Sequence, residues 1–229
     1  MIVSLLQYTP DGENISALAA KLCYSPSSVS DLISNQENSP NRKLLKKIVA
    51  LGHHSVLEHL SFTFGIEGIS RVTSHQLVRH RIASYSQQSQ RYVKAGEALD
   101  YIIPPSINEN TRVHEKFVNL VSSIKKLYDE MIVEGIPLED ARYILPNAAE
   151  TKIIVTMNAR ELRHFFQLRC CNRAQWEIRE MAKGMLKLVK EKAPLIFSDA
   201  GPSCLRGPCQ EGEMACGKIE EVRQEFQGF

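Results

Sequence analysis

From Arg79 to Tyr92 the chain reads RHRIASYSQQSQRY, which sets three arginines, one histidine, three serines and three glutamines within fourteen positions. Arg79, His80 and Arg81 are adjacent cationic groups that repel one another unless solvent or an anion satisfies them. Phosphate is the natural partner, because each guanidinium offers a planar fork of N–H donors to paired oxygens. Ser84, Ser86, Ser89 and the glutamines add short-range donors and acceptors. The run therefore suits a nucleotide, with a solvated basic turn as the plain alternative. Ser89 has only His80 within the run to activate it, so it reads as a phosphate or substrate ligand and not as a nucleophile.

The flanking sequence supplies elements that could hold these groups. Leu60, Phe62, Phe64 and Ile66 alternate with Ser61, Thr63, Gly65 and Glu67, the period of a half-buried strand ending near Gly68. Ile69, Val72, Thr73 and Leu77 then fall at helical intervals. This spacing predicts that Gln76, Arg79 and His80 lie on the last turns of a helix and that the polar run is a loop. The start MIVSLLQYTPDG reads as a first strand. Ser39 as N-cap, Pro40, an apolar face of Leu44, Leu45, Ile48 and Val49, and Gly52 beyond mark a helix that delivers His53. Ser55 with Glu58 is a capping-box pattern for a short helix. A long helix from about Thr111 carries Val113, Phe117, Val121, Ile124, Leu127 and Met131 on one face and stops at Gly135 and Pro137. Ile153, Ile154 and Val155 predict a second core strand. Asn158 with Glu161 is a capping-box pattern for the next helix, and Ala174, Ile178, Met181, Met185, Leu188 and Val189 predict one more. The class is α+β, a central mostly antiparallel sheet flanked by long helices. One compact domain is expected over residues 1–197, followed by a cysteine-containing tail over 198–229.

Composition narrows the function. A net charge of +2 over 229 residues argues against a strongly basic nucleic-acid binder, since the basic groups are local. No stretch approaches the length of a transmembrane helix, and the first residues lack a basic region followed by an apolar core, so a cytoplasmic protein is expected. Five of the seven histidines fall between His53 and His80, but His54, Glu58 and His59 have poor metal spacing and HExxH is absent. Cys23, Cys170 and Cys171 sit in or beside apolar helical patterns and read as structural. Cys204, Cys209 and Cys216 are one thiol short of the usual zinc set and lack CxxC spacing, so free thiols are the expectation and no metal is assigned. No Gly-rich dinucleotide turn is present.

RHR followed by seven residues and Ser89 resembles the signature of the flavin-dependent thymidylate synthases. GHHSVLEH at 52–59, ARYILP at 141–146, NARELRHFFQLR at 158–169 and AQWEI at 174–178 resemble family segments in the family's order. The resemblance implies reductive methylation of dUMP to dTMP, with FAD as cofactor and NADPH and 5,10-methylenetetrahydrofolate as co-substrates. It implies that Ser55, Arg79, His80, Arg81, Asn158, Arg160 and His164 contact FAD with Gln87 near it, while His53 and Tyr92 line the flavin and folate space. Gln76, Arg79, Gln87, Ser89, Arg91, Arg142 and Arg169 would hold dUMP, with Arg169 as the catalytic polarising group. Ser86, Gln87 and His164 depart from residues found in some members. The family also implies a homotetramer with sites shared between subunits. A different class uses the same arginines, with Tyr85 and Tyr92 as stacking platforms, in a single-strand nucleic-acid or nucleotide-sensing module.

Overall fold

A computed structural model of the chain describes residues 1–35, 42–96 and 99–229, so the helix start expected at Ser39 and Pro40 lies outside the described residues. In chain order the elements are β1 (Ile2–Tyr8), α1 (Gly12–Tyr24), α2 (Val29–Ser34), α3 (Arg42–Leu51), β2 (Ser61–Ser70), α4 (Arg71–Leu77) and β3 (Ala83–Gln87). There follow α5 (Pro105–Asn108), α6 (Thr111–Val133), α7 (Leu138–Ala141), β4 (Glu150–Asn158), α8 (Ala159–Arg169), α9 (Trp176–Lys192) and α10 (Ile219–Gln227). The strands form an antiparallel sheet in the order β1-β2-β4-β3, giving the expected α+β class. The chain gathers into two compact units, with boundaries that fall inside each of the four strands.

The first unit contains Met1–Ile2, Ile66–Arg79 and Tyr85–Ile154. Here β2 runs on past Gly68 to Ser70, further than the alternation alone predicts. Gly68 makes this possible at φ +69°, where an added Cβ would lie 3.1 Å from the Met1 backbone. The Ser70 side chain accepts the Thr73 N–H and starts α4, which stops at Leu77. Gln76 is therefore helical, whereas Arg79 and His80 lie beyond the helix, contrary to the spacing-based reading. The polar run is likewise not all loop: Ala83, Tyr85 and Gln87 are half-buried while Ser84 and Ser86 are exposed, and this period of two is β3. The Tyr85 hydroxyl donates to the Leu77 carbonyl at 2.9 Å, joining β3 to the end of α4.

The long helix appears as expected, capped by Asn110 and ended at Gly135 with φ +84°. Its burial is narrower than its apolar stripe. Val121 and Tyr128 are buried, while Val113, Leu120 and Leu127 are exposed.

The second unit contains Val3–Gly65, His80–Ser84 and Val155–Phe229. Leu45, Ile48 and Val49 of α3 are buried, and Gly52 beyond it has φ +76°. The box expected from Ser55 and Glu58 does not form: His54–His59 is a 3-10 turn with no side-chain cap, and Glu58 instead meets Arg160 at 2.5 Å. Asn158 caps α8 as predicted, accepting the Glu161 N–H at 2.9 Å. In β4, Ile154 is exposed while Ile153, Val155 and Met157 are buried, so the strand has one core face. α9 begins at Trp176 after the Gln175 cap, leaving Ala174 outside the helix. Its buried face is Ile178, Met181, Ala182, Met185, Leu186 and Val189. Glu13 of α1 accepts the backbone N–H groups of Leu195 at 2.6 Å and Ile196 at 3.2 Å. Residues past 198 are packed as well: Ala200, Gly201, Cys204, Val222 and Phe226 are buried.

Candidate functional site

In the second unit a chain of polar contacts runs from Glu161 through His80 to Arg169. His80 Nδ1 lies 3.2 Å from Glu161 Oε1, and His80 Nε2 accepts the Arg169 Nε–H at 3.1 Å. The acceptor role of Nε2 assigns the proton to Nδ1, which donates to Glu161. Burial, followed by the charges of Arg169 and His164, pushes the His80 pKa down to about 4, so the ring is neutral at physiological pH and the Glu161 contact is a hydrogen bond. Burial also raises the Glu161 pKa. The ring packs edge-on against Phe165 at 4.9 Å between centroids and lies 6.1 Å from the His164 ring. Arg169, the last residue of α8, is thus tied to His80 through its Nε. His53, Ser55, Arg81, Arg160 and His164 of this unit are exposed, and Arg160 pairs with Glu58. Arg163 is buried against Asp199 at 2.8 Å and the Ile196 carbonyl.

The first unit holds a second constellation. Gln87 Nε2 donates to Ser74 Oγ and to Thr151 Oγ1, both at 3.0 Å, which fixes the end of β3. Ser89 then opens a turn: its Oγ accepts the Arg91 N–H at 3.2 Å and its carbonyl accepts the Val93 N–H at 3.0 Å. Arg91 binds Glu139 through Nη2 at 2.8 Å and Nε at 3.0 Å, with its guanidinium 5.4 Å from the Tyr92 ring centroid. Arg142 donates to the Glu139 carbonyl at 3.1 Å. Arg71 is held below its ordinary pKa by burial and then by the Arg142 charge, repulsion that an anion would relieve. A cavity of about 160 Å³ opens alongside, lined by Gln88, Ser89, Lys94, Asp100 and Thr151 among others.

The predicted residues thus form two groups. His53, Ser55, His80, Arg81, Asn158, Arg160, His164 and Arg169 belong to the second unit, whereas Gln76, Arg79, Gln87, Ser89, Arg91, Tyr92 and Arg142 belong to the first. Sequence reasoning missed Glu161, Arg71, Glu139 and Thr151. Glu161 carried a signal, three residues after Asn158, that was read only as a cap. Arg71, Glu139 and Thr151 lie outside the polar run and become visible only through their contacts. Among the described residues no group of three or more His, Cys, Asp or Glu side chains stands ready to hold a metal ion. No helix of the described residues is long and apolar enough to cross a membrane.

Residues 4–195 match the family model described as thymidylate synthase complementing protein. The chain is 57% identical to a flavin-dependent thymidylate synthase of Geobacter sulfurreducens, over 99% of this chain and 98% of the relative. It is 49% identical to that of Clostridium tetani, over 97% and 95%, and 43% identical to that of Pyrococcus furiosus, over 98% and 96%. Among solved structures, its fold is similar to the UMP/dUMP methylase PolB of Streptomyces cacaoi bound with 5-Br dUMP. The TM-score is 0.72 at 23% identity, covering 86% of this chain and 93% of that one.

Proposed function

The chain belongs to the flavin-dependent thymidylate synthases, and we propose that it converts dUMP to dTMP with 5,10-methylenetetrahydrofolate as carbon donor and NADPH as reductant. When bound, FAD would carry reducing equivalents from NADPH to the new methyl group. The second unit suits FAD in charge, since His53, Ser55, Arg81, Arg160 and His164 offer exposed N–H and O–H donors to a diphosphate. Asn158, Arg79 and Gln87 belong to the same proposal, whereas His80, buried with both ring nitrogens engaged, would serve the flavin site only by holding Arg169. For dUMP we assign Gln76, Arg79, Gln87, Ser89, Arg91, Arg142 and Arg169, and the repulsion between the Arg71 and Arg142 charges favours an anion near them.

The observation that carries this reading is the Glu161–His80–Arg169 chain. A neutral imidazole whose proton is held by Glu161 leaves Nε2 as an acceptor that aims Arg169. Beside the uracil carbonyl and N3, that fixed guanidinium favours the enolate-like form of the ring and so raises the nucleophilicity of the carbon to be methylated. The protein's share of the chemistry is then orientation and charge stabilisation.

The homotetramer belongs to the same proposal. Val113, Leu120 and Leu127 recur every seven residues along α6, exposed by 43%, 60% and 48%, and a second copy of the chain would cover them. The site residues would then be shared between subunits, in the cytoplasm.

The test is the visible spectrum of purified protein, followed anaerobically after NADPH with and without dUMP. A flavin spectrum that bleaches, followed by dTMP formation, is the expected result. A protein that stays colourless after incubation with FAD overturns the synthase reading in favour of a nucleotide-binding module.

A further inference from the structure

Gln87 closes β3 beside two hydroxyls that lie deep in the first unit. Ser74 of α4 is fully buried and Thr151 of β4 is 3% exposed, while Gln87 is half-buried. The Ser74 hydroxyl donates to the Arg71 carbonyl at 3.0 Å. A hydroxyl has one hydrogen, so toward Gln87 the Ser74 oxygen can only accept, and the amide atom 3.0 Å from it must be the nitrogen. The second N–H of that nitrogen goes to Thr151 Oγ1, also at 3.0 Å. The serine proton thereby fixes the sense of the amide, with its nitrogen against the two hydroxyls and its oxygen turned away from them. A reversed amide would set its oxygen against the Ser74 lone pairs, or draw the serine proton off the Arg71 carbonyl. Either change breaks a hydrogen bond in a buried place, where the unpaired group bears its full desolvation cost.

The main chain at this point is held separately. The Gln88 N–H donates to the Lys152 carbonyl at 3.0 Å, so the ends of β3 and β4 stay paired without help from the side chains. Loss of either hydroxyl therefore frees the Gln87 amide to rotate and does not release the strand. The surroundings are those of a ligand site: Gln76 follows Ser74 by two residues, and Thr151 lines one cavity with Ser89.

We propose that Ser74 and Thr151 are positioning residues of the nucleotide site, holding the Gln87 amide so that its oxygen accepts from an N–H or O–H of bound dUMP, an inference that rests on the assignment of Gln87 to dUMP. Neither hydroxyl touches the nucleotide itself. Both act through Gln87, and they make its place in the site an acceptor, so a ligand that offers a lone pair there is rejected.

The test is calorimetric titration of dUMP into the FAD-loaded full chain. Thr151→Val keeps the shape of the side chain and removes its hydroxyl, and it should weaken dUMP binding about tenfold; Ser74→Ala should do the same. Thr151→Ser keeps the hydroxyl and should stay within about twofold of wild type. A threonine that only fills the core predicts the opposite order, because serine leaves a cavity and valine does not, so serine binding as weakly as valine or more weakly overturns the proposal. The second arm asks whether the effect passes through Gln87. In a Gln87→Ala background, Thr151→Val should cost less than about twofold more, and a full tenfold loss there also overturns it. Wild-type protein that binds no dUMP overturns the synthase reading together with this one, whereas tight binding by wild type and Thr151→Val alike overturns this one alone.

Discussion

Replacing Arg169 by alanine removes the guanidinium that His80 holds, and turnover should fall by about a hundredfold to a thousandfold while flavin binding is kept. Near-normal dTMP formation by this variant would refute the assigned role. Glu161 acts one step further back. Glu161→Gln retains an acceptor for His80 Nδ1 and should leave kcat within about threefold, whereas Glu161→Ala frees the ring and should lower kcat about tenfold. Equal kcat in the two variants would sink the idea. His80 also links protonation to stability. Its pKa is about 4 in the folded chain against an ordinary 6.5, so on acidification the unfolded chain takes up the proton first. The contribution is complete above about pH 6.5 and is lost progressively down to about pH 4. Urea unfolding of wild type should show that loss between neutral pH and about pH 4.5, and His80→Gln should flatten it. The RHR run was legible because charge and hydrogen-bonding types cluster in fourteen consecutive positions. Glu161 was not, since one carboxylate can serve a cap or a histidine 81 positions away and only the fold chooses.

At the scale of elements, periodicity identified β2 and α9, whose apolar faces are buried, and α6, whose stripe is buried only in part, while α8 was announced by its Asn158 cap. It failed where backbone conformation decides. The turn of β2 past Gly68 depends on a positive φ, and the 3-10 turn at His54–His59 arises where Glu58 pairs with Arg160 in place of a cap. The segment beyond Ser198 looked like a linker by its Gly and Pro content, yet its glycine marks a close approach. A Cβ on Gly201 would lie 2.6 Å from Leu205 Cδ1 and 3.0 Å from Phe226 Cδ1, at φ +143°. Gly201→Ala should therefore destabilise the protein by about 1–3 kcal/mol, read as a lower urea midpoint at unchanged slope. An unchanged midpoint would mean that α10 packs less tightly than its buried Val222 and Phe226 indicate.

For the whole molecule, the exposed seven-residue repeat of α6 leads to a test of assembly. Light scattering should report a tetramer for wild type and smaller species for Leu120→Glu/Leu127→Glu, whose chains keep their circular dichroism; a tetrameric double variant would remove α6 from the interface. Assembly is not legible from composition, because an apolar helix stripe reads the same whether its own chain or a neighbouring one covers it. The division of the chain has another consequence. Most of the first unit is one continuous stretch, Tyr85–Ile154, whereas the second joins Val3–Gly65 to Val155–Phe229. Glu13 finds its Leu195 and Ile196 partners 182 and 183 residues later. During vectorial synthesis at the ribosome, β1 and α1 emerge long before α9 and must wait for it, their apolar faces open to chaperones, until translation is nearly finished.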